Sequence, residues 1–357
     1  MRPPGYELYT EGDSFYADML RAIRSARREI QIMMYIWQDD HVGRLFRQAL
    51  EKKCREGVEI TVVADAIGSF DLPGNFFERL QALGASVYMH NRWQILSWQW
   101  LRYLIRRNHR KLLIVDDQIA FTGGFNIMRE CSLRHFGHRR WLDVGFVTRE
   151  KPTVRQLKKQ FQNACRRASH RRWATRLLLR SQNRVILFGG SRAISYSMSR
   201  WLKRRLRKAH DKIVISVPYF VPYGFYWRIL VRKLRYGVPV EIILPAKSDI
   251  AWVDSLSFFM AKRLMSRGAK IYLFGGDDER FSHAKFFMID GFSGTGSANY
   301  DYRSIVLNLD TLVFTPQKSG DWQKVYGSLV QGSKVATLTD LKTGWYVRLL
   351  LLVRWLA

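Results

Sequence analysis

Apolar and polar positions along this chain follow two alternating rhythms. Short runs of β-branched and aliphatic residues, in IQIMMYIW (30–37), REGVEITVVAD (55–65), LGASVYMH (83–90) and HRKLLIVD (109–116), read as strands. Between them lie segments of about 12 to 16 residues with the three-to-four spacing of amphipathic helices. The strand runs are apolar almost throughout, which predicts strands covered on both faces. Gly57, Gly84, Gly237 and Gly268 stand between a helical segment and the next strand, where a helix-terminating glycine belongs. The pattern is that of a layered α/β fold.

It occurs twice. KIVISVPYF (212–220) answers the first strand, and RYGVPVEIILP (235–245) answers REGVEITVVAD (55–65). RGAKIYLF (267–274) answers LGASVYMH (83–90), and HAKFFMID (283–290) answers HRKLLIVD (109–116). The offset stays between 174 residues, from His109 to His283, and 184, from Gly84 to Gly268. Two copies of one unit follow. The polar, basic stretch 150–183 separates them, and the boundary is expected near residue 182, giving units 1–182 and 183–357.

Charge narrows the partners. The chain has 59 Lys+Arg against 30 Asp+Glu, a formal +29, which predicts attraction to polyanions, either nucleic acid or an anionic lipid surface. Two runs favour lipid. WQILSWQWLRYLI (93–105) is followed by Arg106 and Arg107, and the tail WYVRLLLLVRWLA (345–357) has the same aromatic and basic character. The first is too short to span a bilayer, which needs about 20 apolar residues, but both suit the interface. Basic helical candidates at 166–180 and 200–208 would add to that attraction. The expectation is a peripheral protein on the cytoplasmic face of a membrane. The start MRPPGYELYT lacks an apolar secretory segment, and Cys54, Cys131 and Cys165 suit neither a disulfide framework nor a zinc site.

The chemistry sits in the repeat. Each unit carries H-x-K-x-x-x-x-D: His109, Lys111 and Asp116, then His283, Lys285 and Asp290. Strand alternation puts each His and Lys on one face, joining a nucleophile or acid to a fixed cation suited to a phosphate oxygen. Downstream come GGFN (123–126) and GSAN (296–299). Glycine there lets backbone approach a phosphate, and Asn126 and Asn299 can donate to it. One such motif arises by chance; two in matching strand contexts do not. The remaining histidines, 41, 90, 135, 138, 170 and 210, have no paired counterpart and read as structural or exposed.

These residues carry a resemblance to the phospholipase D superfamily, and more narrowly to bacterial cardiolipin synthases of that type. YIWQDD (35–40), PYFVP (218–222), WLDV (141–144), NYDYRS (299–304) and LNLD (307–310) support it, over about residues 8 to 315. The resemblance implies a duplicated α/β/α sandwich, two pseudo-symmetric units sharing one active-site cleft. It implies His109 as nucleophile forming a phosphohistidine and His283 as acid and base. Lys111, Lys285, Asn126 and Asn299, with Gly124 and Ser297, would hold the phosphoryl group. It further implies that Asp143 supports His283 and Asp310 supports His109, with Asp116 and Asp290 in structural hydrogen bonds, and that neither a metal nor another cofactor is needed. An unperturbed imidazole is about three-quarters neutral at pH 7, so small shifts would leave one His neutral and the other protonated.

The implied activity is phosphatidyl transfer, making cardiolipin from phosphatidylglycerol and a second phospholipid, with no obligatory nucleic acid. Hydrolysis by the same site, a nuclease of the same superfamily, and a lipid-binding scaffold with an idle site are the alternatives. Two departures from the pattern stand out. Gly124 replaces the commoner Ser, and the second copy is one residue shorter between Asp290 and Gly296, so its loop GFSGT is expected to be reshaped.

Overall fold

A computed structural model describes residues 5–90, 107–168, 179–181, 184–188, 192–276, 280–316 and 320–350. The first unit runs β1 (Tyr6–Tyr9), α1 (Gly12–Ser25), β2 (Glu29–Met34), α2 (His41–Arg55), β3 (Glu59–Asp65), α3 (Glu78–Ala82) and β4 (Ser86–His90). It continues through β5 (Leu112–Val115), β6 (Ile119–Gly123), a turn of helix α4 (Leu133–Phe136), β7 (Gly145–Thr148) and α5 (Lys151–Ala168). The second comprises β8 (Leu179–Ser181), β9 (Arg184–Phe188), α6 (Arg192–Lys208), β10 (Ile213–Ser216), α7 (Gly224–Arg235), β11 (Val240–Pro245) and α8 (Ala251–Met265). After these come β12 (Lys270–Phe274), β13 (Phe286–Ile289), β14 (Phe292–Gly296), β15 (Thr311–Pro316), α9 (Asp321–Gln331), β16 (Ser333–Val335) and α10 (Val347–Leu350).

The strands form two sheets, ordered β1-β7-β6-β5-β2-β3-β4 and β16-β12-β11-β10-β13-β14-β15-β9-β8. Read in opposite directions, seven strands correspond one to one, and β8 and β16 extend the edges of the second sheet. In each, three parallel strands (β2, β3, β4; β10, β11, β12) continue into an antiparallel hairpin (β5–β6; β13–β14). The duplicated α/β fold read from the repeat is therefore the observed one. The expected boundary at 182 falls inside the β8–β9 hairpin, whose two strands both belong to the second sheet.

Burial explains the unbroken apolar runs. Ile30, Ile32 and Met34 of β2 pack outward against α1 and α2, whereas Met33 faces a core shared by the two units. That core joins Leu112, Ile114 and Phe146 to Phe286, Met288 and Val313, so the two sheets pack on each other through their inner faces. Both faces of every central strand are thus covered, as period-free apolar strands require. Segments 93–105, 169–178 and 351–357, part of the interfacial reading, lie outside the described residues. Of the 166–180 run, residues to Ala168 end α5, and Leu179–Ser181 is strand rather than helix.

The one-residue deletion is absorbed at the hairpin turn. Val115 pairs with Ile119 across three residues, and Ile289 with Phe292 across two. At the other end the copies coincide: Thr122 Oγ1 donates to the Lys111 carbonyl at 2.9 Å, and Thr295 Oγ1 to the Lys285 carbonyl at 2.7 Å. The expected reshaping is confined to the turn, because a hairpin takes up length in its loop while paired strands keep register.

Candidate active site

The motif histidines sit just before β5 and β13, at the C-terminal ends of the parallel strands. Each is locked to the opposite unit by a backbone bridge. The His109 amide donates to the Leu309 carbonyl (3.0 Å) and the Leu309 amide to Arg107 (2.8 Å). In the mirror arrangement, the His283 amide donates to Leu142 (2.8 Å) and the Leu142 amide to Phe281 (2.9 Å). Leu309 and Leu142 immediately precede Asp310 and Asp143. The bridges therefore deliver each carboxylate to the other unit's imidazole: His109 Nδ1 lies 2.9 Å from Asp310 Oδ1, and His283 Nδ1 2.7 Å from Asp143 Oδ2. With Nδ1–H donated to carboxylate, the lone pair of each ring is left on Nε2.

Two buried lysines complete the centre. Lys111 Nζ donates to the His109 carbonyl (2.8 Å), and Lys285 Nζ to the His283 carbonyl (2.7 Å) while lying 2.8 and 2.9 Å from the two His283 ring nitrogens. Both lysines are essentially inaccessible to solvent. Burial lowers Lys285 to about 8, and burial and Lys285 push Lys111 well below the usual range. Burial and Lys111 take His109 down to about 4, and burial, Lys285 and Lys111 push His283 well below ordinary imidazole. Both rings are therefore neutral at pH 7 in the free site, where the sequence suggested one of each. Burial makes most of the difference, and the lysines, brought together only by the fold, add to it.

The two dyads differ. Ser297 Oγ donates to Asp310 Oδ1 (2.6 Å) and accepts from the Thr311 amide (3.0 Å). The matching position is Gly124, where a Cβ would lie 1.8 Å from Asp143 Oδ1. Without an intervening hydroxyl, the Val144 amide bonds Asp143 directly at 2.7 Å. Burial raises Asp143 to about 6 despite Lys285. Burial also opposes ionisation of Asp310, but His109 and the Ser297 hydroxyl overcome it and hold this carboxyl below the usual range.

Asn126 and Asn299 are buried beside the centre. Asn126 Oδ1 accepts from the Ile36 amide (3.1 Å), whereas Asn299 Oδ1 has no hydrogen-bond partner among the described residues. Asp116 and Asp290, grouped with the site by the motif, are not brought to the histidines. They lie at the far turns of their hairpins with φ of 53° and 50°. Asp116 accepts from the Arg27, Arg28 and Glu29 amides (2.8, 2.8 and 2.9 Å), and Asp290 from His210, Asp211 and Lys212 (3.0 to 3.2 Å). They tie each turn to the strand beside it.

Several wall residues were not singled out from sequence. The Tyr35 ring lies 4.7 Å from His109, and the Trp141 ring 5.4 Å from His283. Arg107 and Asp65, both buried, form an ion pair (Nε to Oδ1 2.9 Å), and the Asn108 amide reaches Asp65 Oδ2 at 2.9 Å. Tyr219 donates to Asp249 at 2.6 Å. Tyr35 and Tyr219 follow the ends of β2 and β10 in YIWQDD and PYFVP, and Trp141 precedes β7 in WLDV; those positions were the available signal.

The sequence pattern of the cardiolipin synthase PLD-like domain matches residues 19–165 and 202–327, spanning both halves of this centre. The chain belongs to that family. It is 28% identical over 329 residues to a cardiolipin synthase of Listeria monocytogenes serotype 4a, covering 87% of this chain and 65% of that protein. It is 29% identical over 331 residues to cardiolipin synthase A of Pseudomonas aeruginosa, covering 86% and 63%. This PLD-like chain thus spans just under two thirds of the length of those relatives. Its fold is similar to that of phosphatidylserine synthase from Haemophilus influenzae, with TM-score 0.78, 14% identity and coverage of 100% of this chain and 96% of that one. Polyphosphate kinase from Porphyromonas gingivalis shares the fold at TM-score 0.63 and 13% identity, over 94% and 49%.

Proposed function

We propose that this chain is a phosphatidyltransferase that makes cardiolipin from phosphatidylglycerol and a second phospholipid through a phosphohistidine. The observation that carries this reading is the pair of cross-braced histidines flanked by two buried lysines in one centre. His109 Nε2 attacks the phosphorus of a bound phospholipid, the P–O bond to the leaving alcohol breaks, and His283 supplies that alcohol's proton. The glycerol hydroxyl of phosphatidylglycerol then gives a proton to His283 as its oxygen attacks phosphorus and the P–N bond breaks. Lys111 and Lys285 hold the charge of the pentavalent transition state, and Asn126 and Asn299, with the Gly124 and Ser297 turns, position the phosphoryl oxygens. A bound phosphodiester anion offsets the lysine charges that keep His283 neutral, so substrate itself favours protonation of the acid.

The reading extends to place and domain structure. We place the chain peripherally on the cytoplasmic face of an anionic membrane, with two units, 1–182 and 183–357. Among the described residues no helix is long and apolar enough to cross a bilayer. Incubation with phosphatidylglycerol vesicles and mass spectrometry tests the reaction. Cardiolipin is expected; phosphatidic acid alone assigns the site to hydrolysis. A denaturing quench at alkaline pH, where a P–N bond survives, should trap the phosphatidyl group on His109, and trapping on His283 would reverse the two roles.

A further inference from the structure

Large apolar side chains exposed to water are costly and tend to mark contact surfaces when they gather. Seven are exposed among the described residues, and four of them ring the histidine end of the molecule. Phe70, 74% exposed, is in the loop after β3 whose neighbouring Ser69 bonds the Tyr35 carbonyl (3.1 Å). Leu133, 50% exposed, is held at the start of α1 by its amide bond to Asp13 (2.7 Å). Trp252, 36% exposed, opens α8 directly after the β11 end. Trp345, 88% exposed, is anchored by its neighbours: Tyr346 reaches Ser255 (3.3 Å), and Val347 packs on Val221 and Leu256. Two come from each unit, so they straddle the cleft. Exposed Arg134, Arg139, Lys247 and Arg348 lie on the same rim, against exposed Asp71 and Asp249, the latter engaged by Tyr219.

We infer that this rim is the membrane-docking face, seated in the interfacial layer of an anionic bilayer so that the histidine cleft opens toward lipid. The inference deepens the proposed function and rests on it for the identity of the lipid. Aromatic and aliphatic tips with interleaved arginines suit the headgroup boundary, where rings bury while guanidinium groups reach phosphate. A protein-only partner would not call for the net positive rim of a chain carrying +29. Docking this way also bounds the cleft with lipid, which limits water at a phosphohistidine and favours transfer over hydrolysis.

The test compares the full chain with the triple variant Phe70→Ser, Trp252→Ser, Trp345→Ser on phosphatidylcholine vesicles containing phosphatidylglycerol. Partitioning measured by co-sedimentation should fall on the order of tenfold or more. Tyr236→Ser removes an equally exposed ring (68%) at the opposite end of the sheet and should leave partitioning unchanged. Turnover of monomeric short-chain phosphatidylglycerol should survive in the triple variant, which checks its folding. Undiminished vesicle binding in the triple variant, an equal loss in Tyr236→Ser, or a shift in oligomeric state without lipid in place of lost vesicle binding would overturn the inference. Because partitioning is read without turnover, a chain that docks but transfers nothing would sink the proposed function and leave the docking face standing.

Discussion

Lys285→Met should stabilise the protein at neutral pH while abolishing transfer. Lys285 is fully buried, and burial lowers its amine from 10.5 to about 8. At pH 7 the side chain is therefore charged in both states, and the folded state bears the cost of that buried charge, about 3 kcal/mol. Methionine fills the same volume without charge. It also leaves the His283 carbonyl without its 2.7 Å donor, an offset of about 1–2 kcal/mol. The net gain at pH 7 is about 1–2 kcal/mol, an upward shift of about 2 °C in thermal midpoint. Above the folded pKa of about 8 the wild-type amine sheds its proton, and the penalty is relieved as pH rises toward 10.5. The difference should shrink through that window and reverse near pH 10, where the lost hydrogen bond outweighs what is left of the charge penalty. Paired thermal scans of both proteins from pH 7 to pH 10 read it directly. A variant less stable at pH 7, or a difference that does not move with pH, would refute the claim that the buried charge is a burden carried for chemistry.

Other expectations follow from the same geometry. Asp116→Asn keeps a residue tolerant of φ 53° but weakens an acceptor of three amides, so it should cost about 1–2 kcal/mol in chemical denaturation and leave turnover near wild type. Ser297→Ala removes the 2.6 Å donor to Asp310 and should lower kcat roughly tenfold with little change in KM, measured on phosphatidylglycerol. His109 falls from 6.5 to about 4, so the native state binds fewer protons than the unfolded chain between those values and loses stability as pH falls through them. His109→Gln lacks that loss and should gain up to about 3 kcal/mol on wild type between pH 7 and pH 4, read from denaturant midpoints at both pH values.

The duplicated fold was legible because both signals that reveal it are local. Strands covered on both faces write continuous apolar runs, and a repeated unit writes them twice in the same order. The His–Lys spacing was equally visible, since β alternation fixes which side chains share a face. The cross-pairing of Asp310 with His109 and Asp143 with His283 was expected only from family resemblance. Its physical cause is a pair of inter-unit bridges at Leu309 and Leu142, contacts spanning about 140 and 200 residues that no local pattern encodes. The neutrality of both rings was hidden for the same reason, because it depends on Lys111 and Lys285 facing one centre. Asp116 and Asp290 show the converse. They belong to the motif as written, yet the fold uses them at the far turn, since a residue five positions beyond Lys111 on an extended strand is carried about 16 Å away.

Near-symmetry of the two halves makes one chemical difference between them informative. In the second unit a hydroxyl stands between the Thr311 amide and Asp310, so His109 faces a carboxylate already stabilised by Ser297. In the first, Gly124 lets the strand close onto Asp143, whose carboxyl takes the space a side chain would need and is held by the Val144 amide and His283, with Lys285 Nζ 3.9 Å away and no serine hydroxyl. A carboxylate held low keeps its imidazole as a fixed Nδ1–H donor with a free Nε2 lone pair, the state an attacking nitrogen needs. A carboxyl raised to about 6 yields and regains a proton near neutrality, and its imidazole can share in that exchange. The difference is in keeping with the proposed roles of His109 as nucleophile and His283 as proton carrier. Duplication supplies two matching half-sites, and the exchange of one serine for glycine is one of the differences that make them unequal.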